Sequence, residues 1–217
     1  MAKVLLLGAS GLVGGALLTL LQQDSRVDAI IAPTRRPLAA SQQVENPRGE
    51  DLLAVVSALP LMPEIVFCCL GTTRKQAGSA EAFRAVDYQL ITACASVALA
   101  RGARHCLVVS ARNANAHSPW LYYRTKGETE QALMAQGWPQ LTLVRPSLLL
   151  GERTPVRLAE KWSAPLLRRL PGNLRAIAAG SVAKALLALA FCSSQSGLLV
   201  LESAQLETLA AEQAQHG

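Results

Sequence analysis

Short apolar runs recur along this chain, and between them the apolar positions take up a helical period. The runs at residues 4–7, 29–34, 65–70, 105–110, 141–145 and 198–201 have the length of strands and no polar alternation, which is the pattern of strands buried on both faces. Residues 80–100 put Phe83, Val86, Leu90, Cys94 and Val97 on one helical stripe that Gly102 closes. Residues 119–136 read as a second helix, with Ser118 as N-cap, Pro119 in the first turn and Gly137 just past the end. This alternation predicts an α/β chain: a doubly wound parallel sheet with helices on both faces, in three layers α/β/α, joined by right-handed crossovers. Residues 153–180 break the rhythm with Pro155, Pro165, Pro171 and Gly172. They read as a substrate-side excursion (about 151–180) within a single domain of 217 residues, and residues 214–217 are expected to fray.

The first apolar run ends in Gly8, Gly11 and Gly14, after which Gly15-Ala16-Leu17-Leu18 starts a helical stretch. A strand, a tight turn and a helix with a bare N-terminus form a seat for a pyrophosphate. Gly8 permits the turn, Gly11 lets backbone approach phosphate, and Gly14 lets helix and strand pack closely. Gly8, Ser10, Gly11, Leu12, Val13 and Gly14 are the expected phosphate-binding set. A ligand-free glycine turn is the plain alternative. A secretory signal, with Lys3 before apolar residues through Leu21, is disfavoured because no clear cleavage site follows.

An NAD site places an acid about 20 residues past that turn to bind both ribose hydroxyls. Thr34-Arg35-Arg36-Pro37 stands there instead. Two guanidiniums attract a 2′-phosphate, so Arg35 and Arg36 favour NADP(H) over NAD; as solvated surface residues they would say nothing. Asp51 and Leu52 lie between the runs at 29–34 and 65–70 and can border the adenine. Leu70-Gly71-Thr72-Thr73 closes the run at 65–70, where Gly71 would let backbone pass the ribose and the two threonines donate to phosphate; an ordinary loop competes with this reading.

Tyr122 and Lys126 stand four apart, so on a helix they share a face. A free tyrosine has a pKa of about 10 and is a poor base at neutral pH. The Lys126 ammonium is expected to pull the Tyr122 phenol down, letting it exchange a proton with a carbonyl or alcohol as hydride moves. Lys126 would also hold the ribose hydroxyls. Ser110, at the end of the 105–110 run, would hydrogen-bond the substrate oxygen. Each feature is common alone; in this order and spacing they are specific. Pro146, Ser147 and Leu148 follow the 141–145 run, where their backbone can meet the nicotinamide carboxamide, although Pro146 can equally end the strand.

Charge and composition narrow the classes. The net charge of +6 suits a phosphate-bearing ligand. With three residues each of Phe, Trp and Tyr, a stacking platform for single-stranded nucleic acid is not expected. No membrane span is expected. Five cysteines without metal or disulfide spacing point to reduced thiols, no metal and a cytoplasmic protein. In residues 153–175, Arg153, Arg157, Lys161, Arg168, Arg169 and Arg175 outnumber Glu152 and Glu160, a solvated basic face or a seat for an acidic partner.

The segments Gly8–Gly14, Phe67-Cys68-Cys69-Leu70-Gly71-Thr72-Thr73-Arg74, Tyr122–Glu128 and Arg145-Pro146-Ser147-Leu148-Leu149-Leu150-Gly151 resemble those of an atypical short-chain dehydrogenase/reductase, and more narrowly the Tat-interacting-protein-like family. The resemblance covers residues 1 to about 155. It implies a Rossmann-type fold, NADPH binding, and Ser110, Tyr122 and Lys126 in the catalytic places. Asp87 stands nearest the place of the usual asparagine on the central helix, which puts the usual proton relay in doubt. The leading expectation is an NADPH-dependent reductase of a small carbonyl substrate. The alternatives are a non-catalytic NADPH-binding regulator acting through a protein partner, and an epimerase or dehydratase using a transient hydride. Assembly state is left open.

Overall fold

The computed structural model describes residues 2–150, 176–192 and 196–215. In chain order its elements are β1 (Ala2–Leu7), α1 (Leu12–Gln23), β2 (Val27–Ile31), β3 (Val44–Glu45), α2 (Leu52–Ser57), β4 (Ile65–Cys68), α3 (Arg74–Ala77), α4 (Ala80–Arg84), a π-helical segment (Ala85–Leu90), α5 (Ile91–Ala100), β5 (His105–Val109), α6 (Leu121–Ala135), β6 (Gln140–Arg145), β7 (Leu149–Leu150), β8 (Ile177–Ala178), α7 (Ala179–Ala190), β9 (Gly197–Glu202) and α8 (Ser203–Gln215). Seven strands form one sheet in the order β3-β2-β1-β4-β5-β6-β9, and every pairing is parallel. This is the Rossmann-type doubly wound arrangement that the apolar pattern predicts.

Strand alternation divides the interior into two cores. Leu6, Phe67, Leu107 and Val144 face α1, α7 and α8. Leu5, Leu7, Val66, Cys68, Val108 and Leu143 face α2, α5 and the buried side of α6. Both faces are apolar because both are covered, so the strands read as continuous apolar runs.

The order in which strands are added reverses between β1 and β4, which run parallel and pair at their ends through Leu7 and Cys68. The two following loops must part there, and an open α/β sheet places its ligand crevice at such a point. Two glycines keep the loops tight. Gly8 has φ +86°, and a Cβ on it would lie 2.6 Å from the Cys69 carbonyl oxygen. A Cβ on Gly14 would lie 2.1 Å from the Gly8 carbonyl oxygen.

Several boundaries differ from the sequence-based expectation. β2 ends at Ile31, and Thr34 makes only an isolated bridge to Arg48. Leu70 and Ser110 lie just beyond their strands. α6 starts at Leu121, not residue 119, because Asn115–Ser118 closes a separate turn and the Ser118 hydroxyl accepts from the Trp120 N–H at 3.2 Å. Within the expected 80–100 helix, the segment around Asp87 widens to a π-helix, which no apolar stripe signals. Residues 176–180, read as the end of the excursion, instead supply β8 and the start of α7. The rest of that excursion, residues 151–175, lies outside the described residues. Among the described residues, no helix is long and apolar enough to cross a membrane.

Candidate functional site

A cleft of about 600 Å³ opens at the crevice. One end is lined by Ser10, Gly11, Leu12 and Val13 from the glycine turn, the middle by Leu70, Gly71, Thr72 and Thr73, and the other end by Asp87, Ser110, Tyr122 and Lys126. Five segments far apart in sequence thus meet here because each follows, or packs over, the C-terminal end of a central strand. Gly11 caps α1 without a side-chain hydrogen bond, and the first turn of α1 carries no acid. Its leading N–H groups therefore face the cleft with a positive partial charge, suited to an anion.

At the far end, the Lys126 ammonium lies 2.8 Å from Asp87 Oδ1, with both side chains buried. Asp87 Oδ2 accepts from the Thr72 backbone N–H at 2.8 Å, and Thr129 Oγ1 donates to the Asp87 carbonyl at 2.7 Å. Burial alone would lower the Lys126 pKa; the facing Asp87 carboxylate reverses this and raises it. The Tyr122 phenol is also pushed up, first by burial, with Lys126 pulling down and Asp87 pushing up. Lys126 thus pulls the phenol down as expected, but the expected net lowering is corrected: burial outweighs the ammonium, and the Asp87 carboxylate delivered by the π-helical segment opposes it. The Tyr122 ring packs 5.8 Å from Phe83 and edge-on to Tyr123 at 5.4 Å.

Ser110 lines the cleft, but its hydroxyl donates to Glu130 Oε1 at 2.5 Å. Glu130 is 2% exposed and is clasped by Arg145, whose Nε and Nη2 donate at 3.0 and 2.5 Å. Arg145 also reaches Glu202 at 3.5 Å. With its proton given to Glu130, Ser110 presents lone pairs to the cleft. Glu130 was missed in the sequence, although it stands four residues past Lys126 on the same helical face.

Arg35, Arg36, Asp51, Leu52, Pro146, Ser147 and Leu148 are not among the residues that line the cleft. Arg35 and Arg36 are exposed and carry no guanidinium partner among the described residues. Asn46, also missed, holds their loop: it donates to Ala32 O at 2.6 Å and Thr34 Oγ1 at 2.8 Å and accepts from the Leu38 N–H at 3.1 Å. Asp51 caps α2 by accepting from the Ala54 N–H, and Leu52 is buried beneath it. Thr73 caps α3. The Pro146 carbonyl accepts from Arg112, the Ser147 N–H donates to Ser203, and Leu148 is exposed.

The chain is 36% identical over 195 residues to a mitochondrial FMP52 protein of Lodderomyces elongisporus, covering 79% of this chain and 82% of that one. A mitochondrial FMP52 protein of Candida albicans is 34% identical over 154 residues, 68% of this chain and 67% of that one. No family model matches. Among solved structures, the chain is similar to Bordetella bronchiseptica WbmH in complex with NAD+ (TM-score 0.71, 15% identity, 94% of this chain and 76% of that one). It is likewise similar to a putative NAD-dependent epimerase/dehydratase of Bacillus halodurans (TM-score 0.67, 17% identity, 96% and 99%) and to MoeE5 in complex with UDP-glucose and NAD (TM-score 0.68, 16% identity, 97% and 81%). The likenesses to solved structures support the Rossmann-type α/β fold. The narrower Tat-interacting-protein-like placement is not what these relatives' names carry. The expected cytoplasmic location is corrected by them: the relatives bear the names of mitochondrial proteins.

Proposed function

The chain belongs to the FMP52 family, and from that premise, with the cleft's own chemistry, we propose that it is an NADPH-dependent reductase of a small carbonyl compound. The observation that carries this is Tyr122 and Lys126 meeting Ser110 at one end of a cleft whose other end is a bare helix N-terminus. The cleft fits a dinucleotide: Gly8 and Gly14 leave room only for backbone, and the α1 terminus offers N–H groups to a diphosphate. Arg35 and Arg36, unpaired on a loop that Asn46 holds, suit a 2′-phosphate and hence NADP(H) over NAD.

Bound NADPH would supply the hydride. Tyr122, held protonated by burial and by Asp87, would donate its phenolic proton to the carbonyl oxygen. Lys126, fixed by Asp87, would hold ribose hydroxyls and stabilise the phenolate left behind. Ser110 would accept from the product hydroxyl while Glu130 keeps it oriented. Tyr122→Phe is expected to abolish NADPH oxidation with a turned-over carbonyl substrate and to leave NADPH affinity within a few-fold. Full activity in that variant would remove Tyr122 from the reaction.

A second reading has a specific support. Both Lys126 and Ser110 are tied to buried carboxylates, an arrangement that also suits a static NADPH-binding regulator. A pull-down with and without NADPH separates them: partners that come and go with cofactor favour regulation.

A further inference from the structure

A second pocket of about 410 Å³ adjoins the cleft and is lined by Arg74, Phe83, Trp120, Leu121, Tyr122 and Tyr123. Tyr122 lines both cavities, and its ring packs against Phe83, which lines the second. The pocket is within the size range of small-ligand sites, and its walls are apolar but for one cation. Phe83 is fully buried, whereas Trp120 is 71% exposed at the rim and Tyr122 41%. Arg74 is exposed, and its guanidinium has no partner among the described residues. An aromatic recess with a single unpaired guanidinium binds a molecule with an apolar body and one anionic group.

We infer that this pocket seats the apolar body of the substrate, and that the substrate is an aromatic or branched aliphatic carbonyl compound bearing one carboxylate, which pairs with Arg74. This rests on the reductase reading and names its substrate class. The carbonyl reaches past the Tyr122 ring into the cleft. There a hydride from NADPH adds to the carbonyl carbon and the Tyr122 proton to the oxygen, giving the alcohol and NADP+, with solvent reprotonating Tyr122.

The test is calorimetric titration of the full chain with 4-carboxybenzaldehyde, benzaldehyde and UDP-glucose, with NADPH affinity and NADPH oxidation measured separately. The expected result is saturable binding of 4-carboxybenzaldehyde that Arg74→Gln weakens about tenfold, the cost of one charge-assisted pair, with benzaldehyde affected by less than about twofold. Trp120→Ala should weaken both aldehydes, and both variants should keep wild-type NADPH affinity, which shows that they are folded. Absence of saturable aldehyde binding overturns the inference, as does equal weakening of the two aldehydes by Arg74→Gln. Displacement of the aldehyde by UDP-glucose also overturns it and assigns the pocket to a nucleotide sugar. So does a dimer that Trp120→Ala dissociates while no aldehyde binds, since the pocket then holds a second copy. Aldehyde binding without NADPH oxidation fails the reductase reading but leaves the carboxylate-binding assignment standing.

Discussion

The Asp87 carboxylate and the Lys126 ammonium form a buried ion pair, 2.8 Å apart, in the cleft that Tyr122 also lines. The pair joins the π-helical segment to α6, and it sets the charge felt by the phenol. An isolated ammonium would pull a neighbouring phenol toward phenolate; a paired one leaves burial in command and the proton on Tyr122.

Replacing Asp87 by Asn should therefore change both acidity and stability. Removing the carboxylate lets Lys126 lower the Tyr122 pKa, so the proton donor is lost at lower pH. The alkaline fall in kcat/KM is expected to begin at lower pH in Asp87→Asn than in the wild type. Lys126 would also be left buried without a counter-charge, at a cost of about 3–5 kcal/mol in urea unfolding at pH 7. In the wild type, the raised Lys126 pKa makes the pair's stabilisation complete below the unfolded value of 10.5 and lost as pH rises through the folded one. An unshifted pH profile in Asp87→Asn would disconnect the pair from Tyr122.

Gly14 and Gly71 should respond differently to the same methyl group. At Gly14 a Cβ would collide with the Gly8 carbonyl at 2.1 Å. Backbone must move, and Gly14→Ala should cost about 3 kcal/mol or more in denaturant unfolding. At Gly71 the nearest atoms, Asp87 Oδ1 and Lys126 Nζ, stand at 3.5 and 3.6 Å, ordinary contact distances. Gly71→Ala should shift stability by less than about 0.5 kcal/mol while weakening NADPH binding, because the methyl enters the cleft. Unchanged NADPH affinity would take Gly71 out of the binding site.

Arg35 and Arg36 should govern the choice of coenzyme. Replacing both by Ala is expected to weaken NADPH by about tenfold or more, the loss of at least one charged hydrogen bond, and to leave NADH within about threefold. Asn46→Ala should move affinity the same way by a smaller factor, since it frees the loop without removing charge. Equal effects on the two coenzymes, read by fluorescence titration, would show that the arginines do not meet the 2′-phosphate.

His105 should give the fold an acid-sensitive step remote from the cleft. Its ring is buried, shares a hydrogen bond with Thr142 Oγ1 at 2.9 Å, and is pushed down to about 4 by burial. A folded pKa below the unfolded 6.5 means that stability is complete above 6.5 and is lost as pH falls toward 4. The expected loss over that window is on the order of 3 kcal/mol in urea midpoints, and His105→Gln should flatten it. A wild-type curve level from pH 7 to 4.5 would contradict this.

Much of the architecture is legible in the linear pattern, because a strand covered on both faces cannot hide its apolar run and a turn this tight cannot dispense with Gly8 and Gly14. Ser110, Tyr122 and Lys126 were legible for a related reason: each sits where strand ends and helical period can be counted. Glu130 escaped notice because a glutamate on a helix is ordinarily solvated, and only burial against Arg145 makes it part of the site. Asn46 escaped because its partners, Ala32, Thr34 and Leu38, are brought near by β2–β3 pairing.

The amino-acid sequence by itself determined the parallel layered sheet, the glycine seat at its first turn, and which side chains could carry charge to the crevice. The tertiary structure alone decided how those charges are matched. Asp87 against Lys126 and Glu130 against Ser110 and Arg145 are contacts across 39, 20 and 15 residues. The physical reason is one of range: periodicity reports whether a residue faces core or solvent, whereas the energy of a buried charge depends on the one partner within about 3 Å, which only packing supplies.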